Sequence, residues 1–170
     1  GEPLCQARAR WPSRRHMREV RLIRGGIQTM LSAEDMFAIH NLYSKYNLCS
    51  DAVDAEGYAE CFTEDAVLTV EPQGVTIEGR KAFLEHKTRD AASRGGRYRR
   101  HWNGSLMIEP TDPATARGRC YLIAYNGEPG GLPEVADCGV YDDVVTKGAD
   151  GEWRFSRREL VMDGTTWSRS

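Results

Sequence analysis

An imidazole in an extended segment and a carboxylate at a helix end are the side chains best suited to proton transfer in this 170-residue chain. The imidazole is His101, between Arg100 and Trp102. An ordinary histidine titrates close to neutral pH, so it can take a carbon-bound proton and give it back. The carboxylate is Asp51, where the first helical pattern ends. The helix dipole disfavours a negative charge there, so some other partner must hold it. Two readings stay open for each residue. Asp51 also suits a turn ahead of Asp54, and a lone strand histidine is often only a half-buried structural side chain. Asn103 lies two residues past His101 and therefore on the same strand face. Leu106 and Ile108 have the opposite parity; a bulge at Gly104 would reconcile the polar start of the strand with its apolar end. Tyr43 and Tyr46 fall near one another on the first helix, and Tyr43 reads as a core phenol with a satisfied hydroxyl. Arg157 and Arg158 must point to opposite faces of the last strand. The one that shares a face with Leu160 and Met162 needs a partner or a ligand anion, because an unpaired buried charge is very costly.

Other chemistries lack their residues. Histidines stand at 16, 40, 86 and 101, with no His-Glu-x-x-His and no Cys/His cluster, so no metal site is expected. Gly95-Gly96 and Gly130-Gly131 are not followed by Lys-Ser/Thr and do not link a strand to a helix, which removes phosphate-loop and dinucleotide readings. There is no Gly-x-Ser-x-Gly elbow. The expectation is catalysis without a metal or organic cofactor.

The elements that must position these groups follow from periodicity. Ser32 and Asp35 have capping-box spacing, and Met36, Ile39, Tyr43 and Tyr46 recur with helical period, predicting a helix from Ala33 to about Ser50. Asp54 is a second N-cap, followed by a short helix through Tyr58 to Phe62, with Thr63-Glu64-Asp65 as a break. Strands are expected over Ala66–Val70 and Val75–Glu78, then a helix from Arg80 to about Ala92 that Gly95-Gly96 ends. Four long strands complete the chain: Tyr98–Glu109, Ala114–Tyr125, Ala136–Lys147 and Trp153–Met162. Helices first and long antiparallel strands later mean an α+β fold with helices on one face of a curved sheet.

Hydrophobic residues make up 40% and charged residues 28%, which fits one globular domain, and no apolar run approaches membrane-spanning length. Residues 1–29 carry seven arginines against Glu2 and Glu19, net +5; the total of −2 leaves −7 for residues 30–170. Residues 1–29 are therefore read as a basic N-terminal arm and 30–170 as the domain. A near-neutral total argues against nucleic acid as partner, and no membrane is expected. The five cysteines contain no Cys-x-x-Cys pair and sit in apolar segments, which suits free thiols in the cytoplasm.

In order along the chain, Leu42-Tyr-Ser-Lys-Tyr46, Asp51, Ala59-Glu-Cys-Phe-Thr-Glu-Asp-Ala66, Ile77-Glu-Gly-Arg80, Arg100-His101-Trp-Asn103, Gly139-Val-Tyr-Asp142 and Asp150-Gly-Glu-Trp-Arg-Phe-Ser-Arg-Arg158 resemble the SnoaL-like branch of the nuclear transport factor 2 superfamily. The resemblance covers about residues 33–162. It implies a cystatin-like cone, with three helices wrapped in a bent, mostly antiparallel sheet and a deep apolar pocket between them. Its closest-looking members are lyases: scytalone dehydratase, bile-acid dehydratase and hexachlorocyclohexane dehydrochlorinase. In these a strand histidine pairs with an aspartate at the end of the first helix, and His101 and Asp51 hold the matching positions. Tyr46, five residues before Asp51, matches a tyrosine of the bile-acid enzyme and is the expected acid. Arg158 matches an arginine of the dehydrochlorinase and, with Asn103, would polarise the substrate. The dehydrochlorinase has a lysine in place of Tyr46, and the bile-acid enzyme an aspartate in place of Ala124.

The reading is a dehydratase-like lyase acting on a small cyclic or polycyclic hydrophobic substrate, with Tyr43, Phe62, Tyr121 and Tyr125 lining the pocket. The alternatives are a ketosteroid-isomerase-like proton shuttle with a carboxylate base, a ligand-binding module, and the small subunit of an aromatic-ring-hydroxylating dioxygenase with its large iron-containing partner. A homodimer or homotrimer is expected, because Trp102 should lie on a sheet face that no helix covers.

Overall fold

The computed structural model describes residues 31–166. The arm expected over 1–29 lies outside them. Ser32 caps the first helix, α1 (Ala33–Ala52), its hydroxyl accepting from the Asp35 amide at 3.0 Å. The Asp35 carboxylate does more than close a cap. It accepts from Lys147 Nζ at 2.8 Å and Trp153 Nε1 at 2.9 Å, fastening the start of α1 to the sheet. These hydrogen bonds, led by that of Lys147, hold the Asp35 carboxyl well below the usual carboxylate range. At the other end Val53 adopts a left-handed φ of 60°, a conformation rare for a β-branched residue. It turns the chain into α2 (Ala55–Glu60), whose cap Asp54 accepts from the Gly57 amide at 2.9 Å. The helix thus runs two residues past the expected Ser50 and holds Asp51 inside its last turn.

Six strands follow: β1 (Phe62–Glu71), β2 (Val75–Glu78), then after α3 (Arg80–Ser93) β3 (Tyr98–Asp112), β4 (Thr115–Gly127), β5 (Glu134–Lys147) and β6 (Trp153–Thr165). They form one curved sheet in the order β2-β1-β6-β5-β4-β3. Only β1 and β6 run parallel, joined from Phe62↔Phe155 onward. That pairing corrects the expected break at Thr63-Glu64-Asp65: these residues belong to β1, at a register irregularity between Phe62 and Val67. The bulge in β3 is present. Register shifts between Gly104 and Met107, with Ser105 at φ 55°, and brings Leu106 and Ile108 onto the face that His101 and Asn103 occupy before it.

Packing follows from alternation. Along β4, Ala116, Cys120, Leu122 and Ala124 are buried while Arg117, Tyr121 and Ile123 are exposed. The helices cover the inner face, and an aromatic cluster fills the space between. Phe62 stacks on Phe83 at 3.8 Å between ring centroids, and Tyr46 meets Tyr58, Phe62, Tyr141 and Phe155 at 5.0 to 6.4 Å. Each buried large ring contributes roughly 1.5–3 kcal/mol of burial, with edge-to-face contacts adding to it. Gly118 is required here, since a side chain would overlap the Tyr43 ring and hydroxyl. The α+β cone is as expected, but the deep apolar pocket that the resemblance implied is not open. Aromatic rings and one arginine occupy that interior. Among the described residues no helix is long and apolar enough to cross a membrane.

Candidate active site

Two faces meet at the end of α1. Asn47 and Asp51 are four residues apart and share a helical face; His101 and Asn103 are two apart and share a strand face. The contact is a ladder. Asn47 Nδ2 donates to Asn103 Oδ1 at 2.8 Å, and Asp51 Oδ1 lies 2.6 Å from His101 Nδ1. The second Asp51 oxygen accepts from the His101 backbone N–H at 3.0 Å. One carboxylate therefore fixes both the ring and the main chain of the histidine. The Asp51 and His101 side chains are 9% and 10% exposed, largely shielded from solvent.

The far ring nitrogen sets the tautomer. Arg99, two residues earlier on the same face, donates from Nε to His101 Nε2 at 3.3 Å. Nε2 must then carry the lone pair, and the ring proton sits on Nδ1 toward Asp51. Burial pushes the His101 pKa down; the hydrogen bond from Asp51 pulls it up, and Arg99 and Lys87 push it down again, leaving it below the ordinary value of 6.5. The group is a neutral, oriented imidazole. Lys87 is itself buried on α3, donating to Ser50 Oγ at 2.9 Å and Asp90 Oδ2 at 3.0 Å.

Arg99 is held from behind. Its Nη1 donates to Asn126 Oδ1 at 3.1 Å and its Nη2 to the fully buried Asp137 carboxylate, which also accepts from Thr165 Oγ1 at 2.5 Å. Arg99 lines a cleft of about 250 Å³ together with Asp90, Arg94, Arg97, Asn126 and Thr166, among others. Asn47, Arg99, Asn126 and Asp137 were not singled out from sequence. Spacing alone marks two of them: Asn47 is one helical turn before Asp51, and Arg99 is two strand residues before His101.

The other expected site residues are placed elsewhere. Tyr46 does not join the dyad. Five residues of helix turn it well away from Asp51, its hydroxyl faces that of Tyr58 at 3.5 Å, and its ring lies 4.0 Å from the Arg158 guanidinium carbon. Tyr43 donates to Asp143 Oδ2 at 2.7 Å and, as its sequence position suggested, is a core phenol. Phe62 is buried in the aromatic cluster. Arg158 is the inward arginine of its pair, fully buried, with Nε 3.3 Å from Asp143 Oδ1. Tyr121 and Tyr125 are corrections. Tyr121 is 52% exposed opposite Gly104, and Tyr125 pairs with the exposed Arg100, so both fall on the outer face. The alternation that buries Leu122 and Ala124 puts them there. Asn103 is beside the dyad, its Nδ2 donating to Tyr121 O at 3.3 Å.

Comparison with known proteins agrees with this frame. No functionally curated protein matches the chain. A protein of unknown function from Mycobacterium tuberculosis is 30% identical, with a TM-score of 0.68 over 78% of this chain and 74% of that one. A putative scytalone dehydratase from Novosphingobium aromaticivorans is 26% identical, with a TM-score of 0.68 over 79% and 89%. The ActVI-ORFA protein of Streptomyces coelicolor shares the fold at 22% identity, with a TM-score of 0.68 over 76% and 98%. The SnoaL-like domain family matches residues 31–159, through all three helices and into β6. The chain belongs to that SnoaL-like family, within the nuclear transport factor 2 superfamily.

Proposed function

We propose that this chain is a cofactor-independent lyase that eliminates water, or an equivalent small leaving group, from a small cyclic hydrophobic substrate. One observation carries the reading. Asp51 grips His101 with both oxygens and leaves Nε2 as an unprotonated base. A carboxylate-base proton shuttle is less well supported, because neither Asp51 oxygen is free. The resemblance of the chain to a putative scytalone dehydratase points the same way. Nε2 takes the carbon-bound proton, the C–H electrons form the new double bond, and the C–O bond breaks. Tyr46 is turned away, so the imidazolium is the acid that returns the proton to the departing hydroxyl. Asn103, whose amide oxygen accepts from Asn47, would orient substrate. The cleft of about 250 Å³ reaches the dyad through Arg99, which both lines it and touches His101. The test is to offer purified protein cyclic β-hydroxy ketones in the presence of a chelator and follow the absorbance of the conjugated product. Product formation with no addition supports the lyase. Activity that requires an added Rieske-type large subunit overturns it in favour of the dioxygenase reading.

We further propose that copies associate through the outer sheet face. Trp102 is 70% exposed and pairs with Ile123; Tyr121 pairs through Val140 with Val161 on the next strands. A contiguous apolar patch of this kind marks an interface. Light scattering at micromolar concentration is expected to give a dimer or trimer, and Trp102→Glu with Ile123→Lys a monomer. A monomeric parent protein refutes it.

A further inference from the structure

We infer that Arg99 is the residue that receives the substrate's carbonyl oxygen as it becomes an enolate, and so selects carbonyl compounds as substrates; this rests on the base reading of His101. The chemistry requires such a group. An imidazole removes a carbon-bound proton readily only when the electrons can pass to an adjacent carbonyl, and charge then accumulates on that oxygen. As the C–H bond breaks, the proton goes to Nε2 and the electron pair passes to oxygen, which needs a cation beside the base; the pair then returns to form the C=C bond as the C–O bond breaks. Arg99 Nε is 3.3 Å from Nε2.

The cation is built in. Asp137, fully buried, is held by the Thr165 hydroxyl and the Thr166 amide and engages one nitrogen of Arg99; Asn126 engages another. Arg has five N–H donors in a fixed fork. Among the described residues three are engaged, by His101, Asn126 and Asp137, which leaves two for a ligand oxygen. Among the arginines lining the same cleft, Arg94 is spent on the end of α1, donating to Ser50 O at 2.8 Å, Asp51 O at 3.0 Å and Asp90 at 2.8 Å. Among the described residues, Arg97 has only the exposed Glu128 at 4.0 Å. That leaves Arg99 as the arginine that both lines the cleft and touches the base. Arg99 lies between the cleft and His101, so an arriving oxygen that draws the guanidinium toward itself also uncovers the Nε2 lone pair. A ring without that oxygen leaves the base capped.

The probe is 4-nitrophenol, a planar enolate mimic whose anion absorbs apart from its neutral form. The parent protein, titrated below the pKa of the free phenol, is expected to bind it as the phenolate. Arg99→Gln alone would leave Asp137 buried without its cation, so the deciding variant is Arg99→Gln with Asp137→Asn. It is expected to weaken phenolate binding by roughly tenfold or more, as loss of a charged hydrogen bond does. Arg117→Gln, on the outer face, should leave binding unchanged. Binding of only the neutral phenol, or equal phenolate binding by the double variant, overturns the inference. His101→Gln separates the two readings. If it abolishes turnover while the double variant still binds phenolate, the base stands and Arg99 is not the oxyanion site. If turnover survives in His101→Gln while phenolate binding follows Arg99, the base reading fails and Arg99 stands as the anion site.

Discussion

Changing His101 to Gln is expected to lower turnover by ~10²- to 10⁴-fold, the range lost with a general base, while urea unfolding stays cooperative. Glutamine can still bond to Asp51 but has no basic nitrogen. Asp51→Asn should fall by a comparable factor for a different reason. It would offer an amide where the ring N–H now finds a carboxylate, and would favour the wrong tautomer, with the proton on Nε2. The pH profile separates a catalytic from a structural histidine. Burial, Arg99 and Lys87 disfavour the imidazolium against the pull of Asp51, so the acid limb of kcat/KM should fall on the acid side of 6.5. Conservative removal of the Arg99 charge should move that limb to higher pH. Folding responds with the same sign. The unfolded chain takes up the His101 proton before the folded one does, so this residue's contribution to stability is lost as pH falls below 6.5. A His101→Gln protein with full turnover, or an acid limb that Arg99 does not move, refutes the assignment.

Much of this arrangement was legible because it rests on short-range rules. Ser32 and Asp54 cap the helices they were expected to cap, and Gly104 marks the bulge that Leu106 and Ile108 required. Asp51 and His101 were singled out by residue type and by a resemblance, although a structural role stayed open for each. What spacing could not supply was depth. Thr63-Glu64-Asp65 look like a break because three polar residues follow Phe62, yet β6 pairs with the strand on both sides of them. Tyr121 and Tyr125 look like pocket aromatics until Leu122 and Ala124 claim the inner face. Arg99 was not singled out, although it shares the strand face of His101 two residues on. What spacing could not show is its partner Asp137, on a strand 38 residues later. Contacts at that separation are fixed by tertiary packing and leave no local period.

The largest effect on stability should come from the other buried charge. The Arg158 guanidinium is enclosed by Tyr141, Tyr46 and Phe155, with its central carbon 3.7, 4.0 and 4.3 Å from their ring centres. Among the described residues no hydrogen bond reaches any of its nitrogens, and Asp143 is its single ionic partner. The rings supply cation–π attraction, but desolvation remains, and burial pushes the Asp143 carboxyl up to about 6 despite Arg158 and Tyr43. Its proton therefore stabilises the fold fully below 3.8, and that contribution is lost as pH rises through about 6. Breaking such a pair from one side leaves a charge with nothing opposite it. Asp143→Ala or Arg158→Met should each cost ~3–5 kcal/mol in urea denaturation. Replacing both with apolar residues of similar volume, Asp143→Leu with Arg158→Met, should recover most of that loss, because the desolvation cost disappears along with the attraction. Asp143→Asn should abolish the pH dependence between 3.8 and 6 while keeping the shape. Single variants as stable as the parent would mean that the aromatic cage alone carries Arg158. A double variant that unfolds like either single would mean that the pair is needed to hold the interior closed, in the space where the resemblance had expected a pocket.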